Sequence, residues 1–217
     1  MSINSLSTKT YLELVNRVLL NAAEQPVRQV DETVASKRAG VSLNRAVRDI
    51  MSLGSWSFAR RVLPPILWDG PSRTFTHSLT EVEDVWYDGR TIKYVDWQDH
   101  AHSNNTDGVP SCWTTVDYET IRLAPYPTTI EQQALVRVVG YGYPDGMNSN
   151  NDTPGVPGTF VDALVSRATG AFLLRHTADS VLSNQFNNEF EVAIQSLRDR
   201  DRGSPRATGS MLFRPHL

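Results

Sequence analysis

The stretch 33–58 changes its period partway along, and that change constrains the fold more than any other feature of the chain. Ala39, Leu43, Ala46, Val47, Ile50 and Leu53 recur at steps of three and four. Such spacing puts them on one face of a helix and leaves Arg38, Asn44, Arg45, Arg48 and Asp49 mostly facing away. Gly54 follows the last periodic residue, where glycine can take the left-handed backbone that closes a helix. A period of two then runs through Trp56, Phe58 and the basic pair Arg60-Arg61. A helix whose apolar face needs partners elsewhere thus ends against the start of a strand, which marks a domain junction.

Upstream, Thr10-Tyr11-Leu12-Glu13 has the spacing of a capping box, and Tyr11, Val15, Val18, Leu19 and Ala22 follow at helical period, predicting a helix over residues 8–23. Pro26 ends it, and the second helix begins near Asp31 or Thr33. Two helices joined by a short turn leave an apolar side open, so further helices must return to cover it. Downstream of residue 56 the composition shifts to aromatics, Thr and Val broken by Pro and Gly. Tyr87-Asp88-Gly89-Arg90 predicts a two-residue hairpin turn, since Asp-Gly tolerates positive φ. Residues 72–77, 113–116, 120–123 and 134–139 supply further strands, and 98–110 is expected to be a long polar loop. Pro157 suits a helix start, with Phe160, Leu164, Ala168, Ala171 and Phe172 on one face. After a break at residues 177–179, Val181 or Leu182, Phe186, Phe190, Ala193 and Leu197 continue the spacing into Arg198-Asp-Arg-Asp-Arg202.

The expected fold class is α+β: a four-helix bundle of two N-terminal and two C-terminal helices (residues 1–55 and 157–202) with an inserted antiparallel β-sandwich or barrel domain (56–143). A linker (144–156) and an extended C-terminal arm (203–217) complete the layout. In the arm, residues 203–210 have the composition of a flexible linker, and Met211, Leu212, Phe213 and Arg214 form an apolar anchor too short to bury itself.

No constellation of catalytic residues emerges. There is no Gly-x-Ser-x-Gly, P-loop or dinucleotide fingerprint. Asp96, Asp99, His100, His102 and Asp107 are ordinary metal-ligand types, but they lie in the polar loop without a recognised ligand spacing, and neither a metal nor a cofactor is expected. Cys112 is the single cysteine, which excludes an internal disulfide framework and predicts a small buried hydrophobe. No run of 18 apolar residues exists and the N-terminus lacks the regions of a signal peptide, so membrane insertion and export are not expected. Asp and Glu outnumber Lys and Arg by 24 to 21, giving a net charge of −3. That balance argues against a globally basic, DNA-gripping surface. Trp56, Trp68, Trp86, Trp97 and Trp113 could stack on sugars, which makes a carbohydrate-binding β module with helical support the alternative reading; large aromatics at strand spacing more often pack a core.

The chain resembles the head-to-tail adaptor, or tail tubular protein A, of short-tailed bacteriophages. The resemblance is carried by residues 14–23 with Gln25-Pro26-Val27; residues 43–53 with Gly54-Ser-Trp56-Ser-Phe58; Ile121-Arg-Leu-Ala-Pro125; and Thr177-Ala-Asp179. It implies a virion structural protein without enzymatic activity, assembled in the host cytoplasm into a cyclic ring, a dodecamer by family resemblance. The ring would sit in the phage neck between the portal protein and the tail nozzle protein, with genomic DNA passing through its lumen without specific binding. The charges Arg38, Arg45, Arg48 and Asp49 are then the expected subunit interface, and Met211, Leu212, Phe213 and Arg214 the expected portal-docking arm.

Overall fold

A computed structural model describes residues 6–65, 67–102 and 106–202. Along these, α1 (Tyr11–Asn21) and α2 (Val34–Ser52) are followed by β1 (Arg60–Leu63), β2 (Leu67–Asp69), β3 (Thr74–Thr76), β4 (Glu81–Tyr87) and β5 (Arg90–Tyr94). Next come α3 (Trp97–His102), β6 (Cys112–Thr115), β7 (Thr120–Ala124), α4 (Ile130–Ala134) and β8 (Val136–Tyr141), and finally α5 (Val161–His176) and α6 (Ser180–Arg202). The chain divides into two compact units. One is built from the stretches up to Phe58 and from Pro144 onward, the other from Ala59–Tyr143. None of the described helices is long and apolar enough to cross a membrane.

In the helical unit α1 starts where its capping box says it should: Glu13 N–H donates to Thr10 Oγ1 at 3.3 Å and Thr10 N–H to Glu13 Oε2 at 2.9 Å. Thr33 and Ser36 form the same reciprocal pair at the head of α2. Tyr11, Leu14, Val15, Val18 and Leu19 of α1 are buried, as are Ala39, Leu43, Ala46, Val47 and Ile50 of α2. α5 packs against α1, α2 and α6. It is therefore buried round most of its circumference, with Val161, Leu164, Val165, Ala168, Phe172 and Leu173 all inside, and it has no polar face to speak of.

The end of α2 departs from expectation. Gly54 is not among the residues with positive φ, and Leu53 closes the helix in ordinary right-handed backbone. Side chains cap it instead. The Trp56 indole N–H donates to Ile50 O at 2.7 Å, and Arg198 of α6 reaches Leu53 O at 2.8 Å. Carbonyls that lack a partner at a helix end are thus answered without a left-handed turn. Trp56 begins no strand. It stacks with Phe58 and meets Phe160 edge-on inside the helical unit, and the first strand starts only at Arg60.

Where a sandwich or a barrel was expected, the β unit is one hydrogen-bonded order of eight strands, β1-β8-β4-β5-β6-β7-β3-β2. Eight flat strands would hold the outer two about 34 Å apart. Leu63 ends β1 and Leu67 begins β2, a separation the chain can stretch to about 14 Å at most. The sheet therefore curls, and Phe75, Val85, Ile92, Trp113, Ile121 and Val138 fill its concave side along with neighbouring apolar residues. The strands are not all antiparallel, because β5 pairs with β6 in parallel. The crossover is residues 95–111, which include the segment 98–110 expected to be a plain loop, and it carries α3. The Asp88-Gly89 turn forms as expected, with φ of 48° and 72°.

Candidate functional site

Residues 144–156 hold no regular element, yet they are a pinned strap and not a loose linker. Asn44 on α2 grips the strap with both ends of its amide: Met147 N–H donates to Asn44 Oδ1 and Asn44 Nδ2 donates to Met147 O, each at 2.9 Å. The backbone N–H groups of Tyr11 and Leu12, in the first turn of α1, donate to Asp152 O at 2.7 Å and Asn150 O at 3.2 Å. Val30 N–H donates to Asn150 Oδ1. Met147 and Val156 are buried, so the strap belongs to the helical core. Within it, the Ser149 hydroxyl and the backbone N–H groups of Ser149 and Asn148 hold the Asp152 carboxyl below the usual carboxylate range.

The expected subunit-interface residues divide into two groups. Arg45 and Arg48 stand exposed on α2 with no hydrogen bond or ion pair to any described residue. Arg38 is exposed as well and donates to His176 Nδ1 at 3.0 Å, while His176 Nε2 faces Glu24 at 3.5 Å. Asp49 is engaged inside its own unit: Arg167 of α5 meets it at 2.9 Å, and the same guanidinium donates to Asn187 and lies 5.4 Å over the Phe190 ring. Arg167 thus ties α2, α5 and α6 together, a role not read from the sequence because three distant elements define it. Met211, Leu212, Phe213 and Arg214 lie outside the described residues.

α6 buries Ser183, Phe190, Ile194 and Leu197. Val181 does not share that face, and Ile194 takes the place expected of Ala193, which is only half-buried. The opposite face carries Val181 and Val192 exposed, and two shallow concavities open to solvent run along it. Val181 and Ala193 both fit a spacing one step out of frame. The frame through Phe190, Ile194 and Leu197 was available from the same stretch.

In the β unit the described carboxylates and histidines of the loop do not converge. His100 is buried, its pKa pushed down first by burial and then by Arg122, while Asp107 faces Arg73 at 3.5 Å. The side chain of His102 is outside the described residues. Among the described residues no three His, Cys, Asp or Glu side chains stand together as a metal centre requires. Cys112 is half-buried, with its thiol directed to Ala124 O at 3.4 Å. Trp56 and Trp113 are buried, Trp68 and Trp86 partly so, and Trp97 stands exposed under the Arg122 guanidinium. These five tryptophans make no shared platform of the kind that stacks a sugar ring. Arg60 is paired with Glu83 at 2.6 Å.

What the structure offers is exposed helix faces, and comparison with known proteins agrees with a role in assembly. No curated protein matches the chain. The SU10 adaptor protein family matches residues 9–211, nearly the whole sequence. The chain therefore belongs to the SU10 adaptor protein family and is a structural adaptor protein of a bacteriophage.

Proposed function

We propose that the protein forms a cyclic ring in the neck of the virion, seated on the portal protein and carrying the tail nozzle protein, with DNA passing through its lumen. Family membership over residues 9–211 carries this reading. Two features agree with it. The helical unit offers an outward α2 face whose guanidinium groups Arg45 and Arg48 have no described partner, as a surface reserved for another chain should. The nearly balanced charge of −3 suits a conduit, because a lining that neutralised many phosphates would hold DNA instead of letting it slide.

The segment 203–217 is the proposed portal-docking arm, with Met211, Leu212 and Phe213 as its apolar anchor and Arg214 available to a carboxylate. The deciding experiment mixes the purified chain with portal rings or tail-less heads and examines the product by electron microscopy. A ring of this protein bound to the portal is the expected result, and a chain truncated after residue 202 should remain folded by circular dichroism yet fail to attach. Failure of the intact chain to bind portal-bearing heads overturns the reading; attachment of the truncated chain at full affinity overturns the role of the arm alone.

A further inference from the structure

The exposed faces of α2 and α6 are complementary, and they belong to different helices that both turn their inner faces to α5. On α2 the outward stripe is Val34, Lys37, Arg38, Val41, Arg45 and Arg48, which follow at helical spacing. It holds four cations and no exposed carboxylate, and Val34 and Val41 are 64% and 60% exposed. On α6 the outward face bears, among the described side chains, Glu189, Glu191 and Asp199 against the cation Arg200, with Val181 and Val192 81% and 74% exposed. A valine left that far in water in the middle of a charged stripe is better placed under a partner than under solvent.

The spacing of the two stripes matches. Arg38 precedes Val41 by three residues and Arg48 follows it by seven; Glu189 precedes Val192 by three and Asp199 follows it by seven. Two helices laid side by side in parallel with Val41 over Val192 therefore set Arg48 opposite Asp199, each almost in line with its own valine, and place Arg38 and Glu189 at one height on the flanks of the seam. Among the described residues Asp199 accepts from Gln195 and Glu189 from Gln185, both neutral partners on the same helix. These carboxylates keep their charge for another molecule.

We infer that the α2 face of one copy seats on the α6 face of the next, the valines in contact and Arg48 paired with Asp199. The occupant is a second copy of this chain, because each copy carries one half of the complementary pair on α2 and the other on α6. Two different patches make a head-to-tail contact, the kind that closes into a ring when the rotation between copies allows. This inference deepens the proposed ring and rests on it. It also accounts for Asp49, which lies on the α2 rim and is already held by Arg167, so that it does not neutralise the basic stripe.

The test is self-association of the full chain by sedimentation up to millimolar concentration, with Arg48→Asp, Asp199→Arg and the two combined. Each single reversal places like charges in contact and should weaken association by at least roughly tenfold. The combined variant, or an equal mixture of the two singles, should recover it. Oxidising a mixture of Val41→Cys and Val192→Cys chains, each with Cys112→Ser, should yield a covalent dimer that neither chain forms alone. Association insensitive to either reversal, or not recovered in the combined variant, overturns the inference. So does a wild-type chain that stays monomeric throughout. In each of those cases attachment to portal-bearing heads, measured separately, reports whether the adaptor reading itself stands.

Discussion

Asn16 and Asn44 perform the same task at two places in the helical unit. Asn16 clips Val27, accepting from its N–H at 2.8 Å and donating to its carbonyl at 3.0 Å, as Asn44 clips Met147. An asparagine amide presents a donor and an acceptor side by side, so it can satisfy both polar groups of one backbone residue that has no helix or strand to join. Asn44→Ala leaves both groups of the buried Met147 unanswered and should cost about 2–3 kcal/mol, read as a lower urea midpoint at unchanged m-value. His77 in the β unit is a second single-residue liability. Its Nδ1 accepts from Leu79 N–H at 3.2 Å, and its Nε2 meets no acceptor among the described residues. Burial holds its pKa below the usual histidine value, against the opposing pull of Asp117 and Glu119. In the unfolded chain the ring takes up a proton near pH 6.5, whereas the buried ring does so only at lower pH. Between those two points the unfolded state binds more protons, so stability is complete above about pH 6.5 and falls as the pH drops. Melting temperatures at pH 7.5 and 5.0 should show a smaller difference in His77→Gln than in the wild type; an equal difference would shift the cause to another group.

The helices differ in how plainly their sequences announce them, and the reason is how many sides of each are buried. α1 and α2 bury one stripe, so the three-and-four spacing of Leu43, Val47 and Ile50 reads cleanly. α5 is enclosed by three neighbours, and its apolar residues spread round the helix until no single stripe stands out. In α6, of the two residues that could open the inward spacing, Leu182 is half-buried and Val181 exposed. Short elements escaped for another cause: β2, α3 and α4 are too brief to show a period, and of the strand expected from Trp56 only the part from Arg60 forms, as β1. α4 nonetheless carried a signal, since Thr129 and Gln132 form the same reciprocal cap as Thr10 and Glu13. The expected interface charges were legible as outward on α2 through Arg38, Arg45 and Arg48, whereas the bond between Asp49 and Arg167 needed a contact 118 residues away in sequence. Where α5 meets α6 the approach is close. Ser183 Oγ donates to Gly170 O at 2.8 Å, and a Cβ on Gly170 would stand 2.9 Å from Asn187 Oδ1 and 3.2 Å from Ser183 O. Gly170→Val should force α6 outward at a cost of roughly 1–3 kcal/mol, visible as a lower melting temperature and faster amide exchange along α6 than along α1.

At the scale of the molecule, charge and connectivity matter most. With 24 acidic and 21 basic side chains the assembled protein should bind duplex DNA weakly and with a shallow dependence on salt, measured by fluorescence anisotropy between 50 and 200 mM salt; tight and steeply salt-dependent binding would contradict a passive conduit. Connectivity sets a schedule. The partners of α1 and α2 lie beyond the whole of Ala59–Tyr143, with Arg17 reaching across the sequence to Asp162 at 2.8 Å and Asn44 to Met147. On a ribosome adding about 5–20 residues per second, the first two helices wait roughly 6–25 s for the strap and α5 to emerge, while the intervening sheet already has all its strands. A chain that terminates early therefore keeps the Leu43, Val47 and Ile50 face uncovered and lacks α6 altogether, so it holds the basic face of the inferred contact without the acidic one. Under the inferred contact, completion of synthesis would be the condition for entering the assembly, and truncated chains, with that face uncovered, should be cut faster by a protease than the full chain.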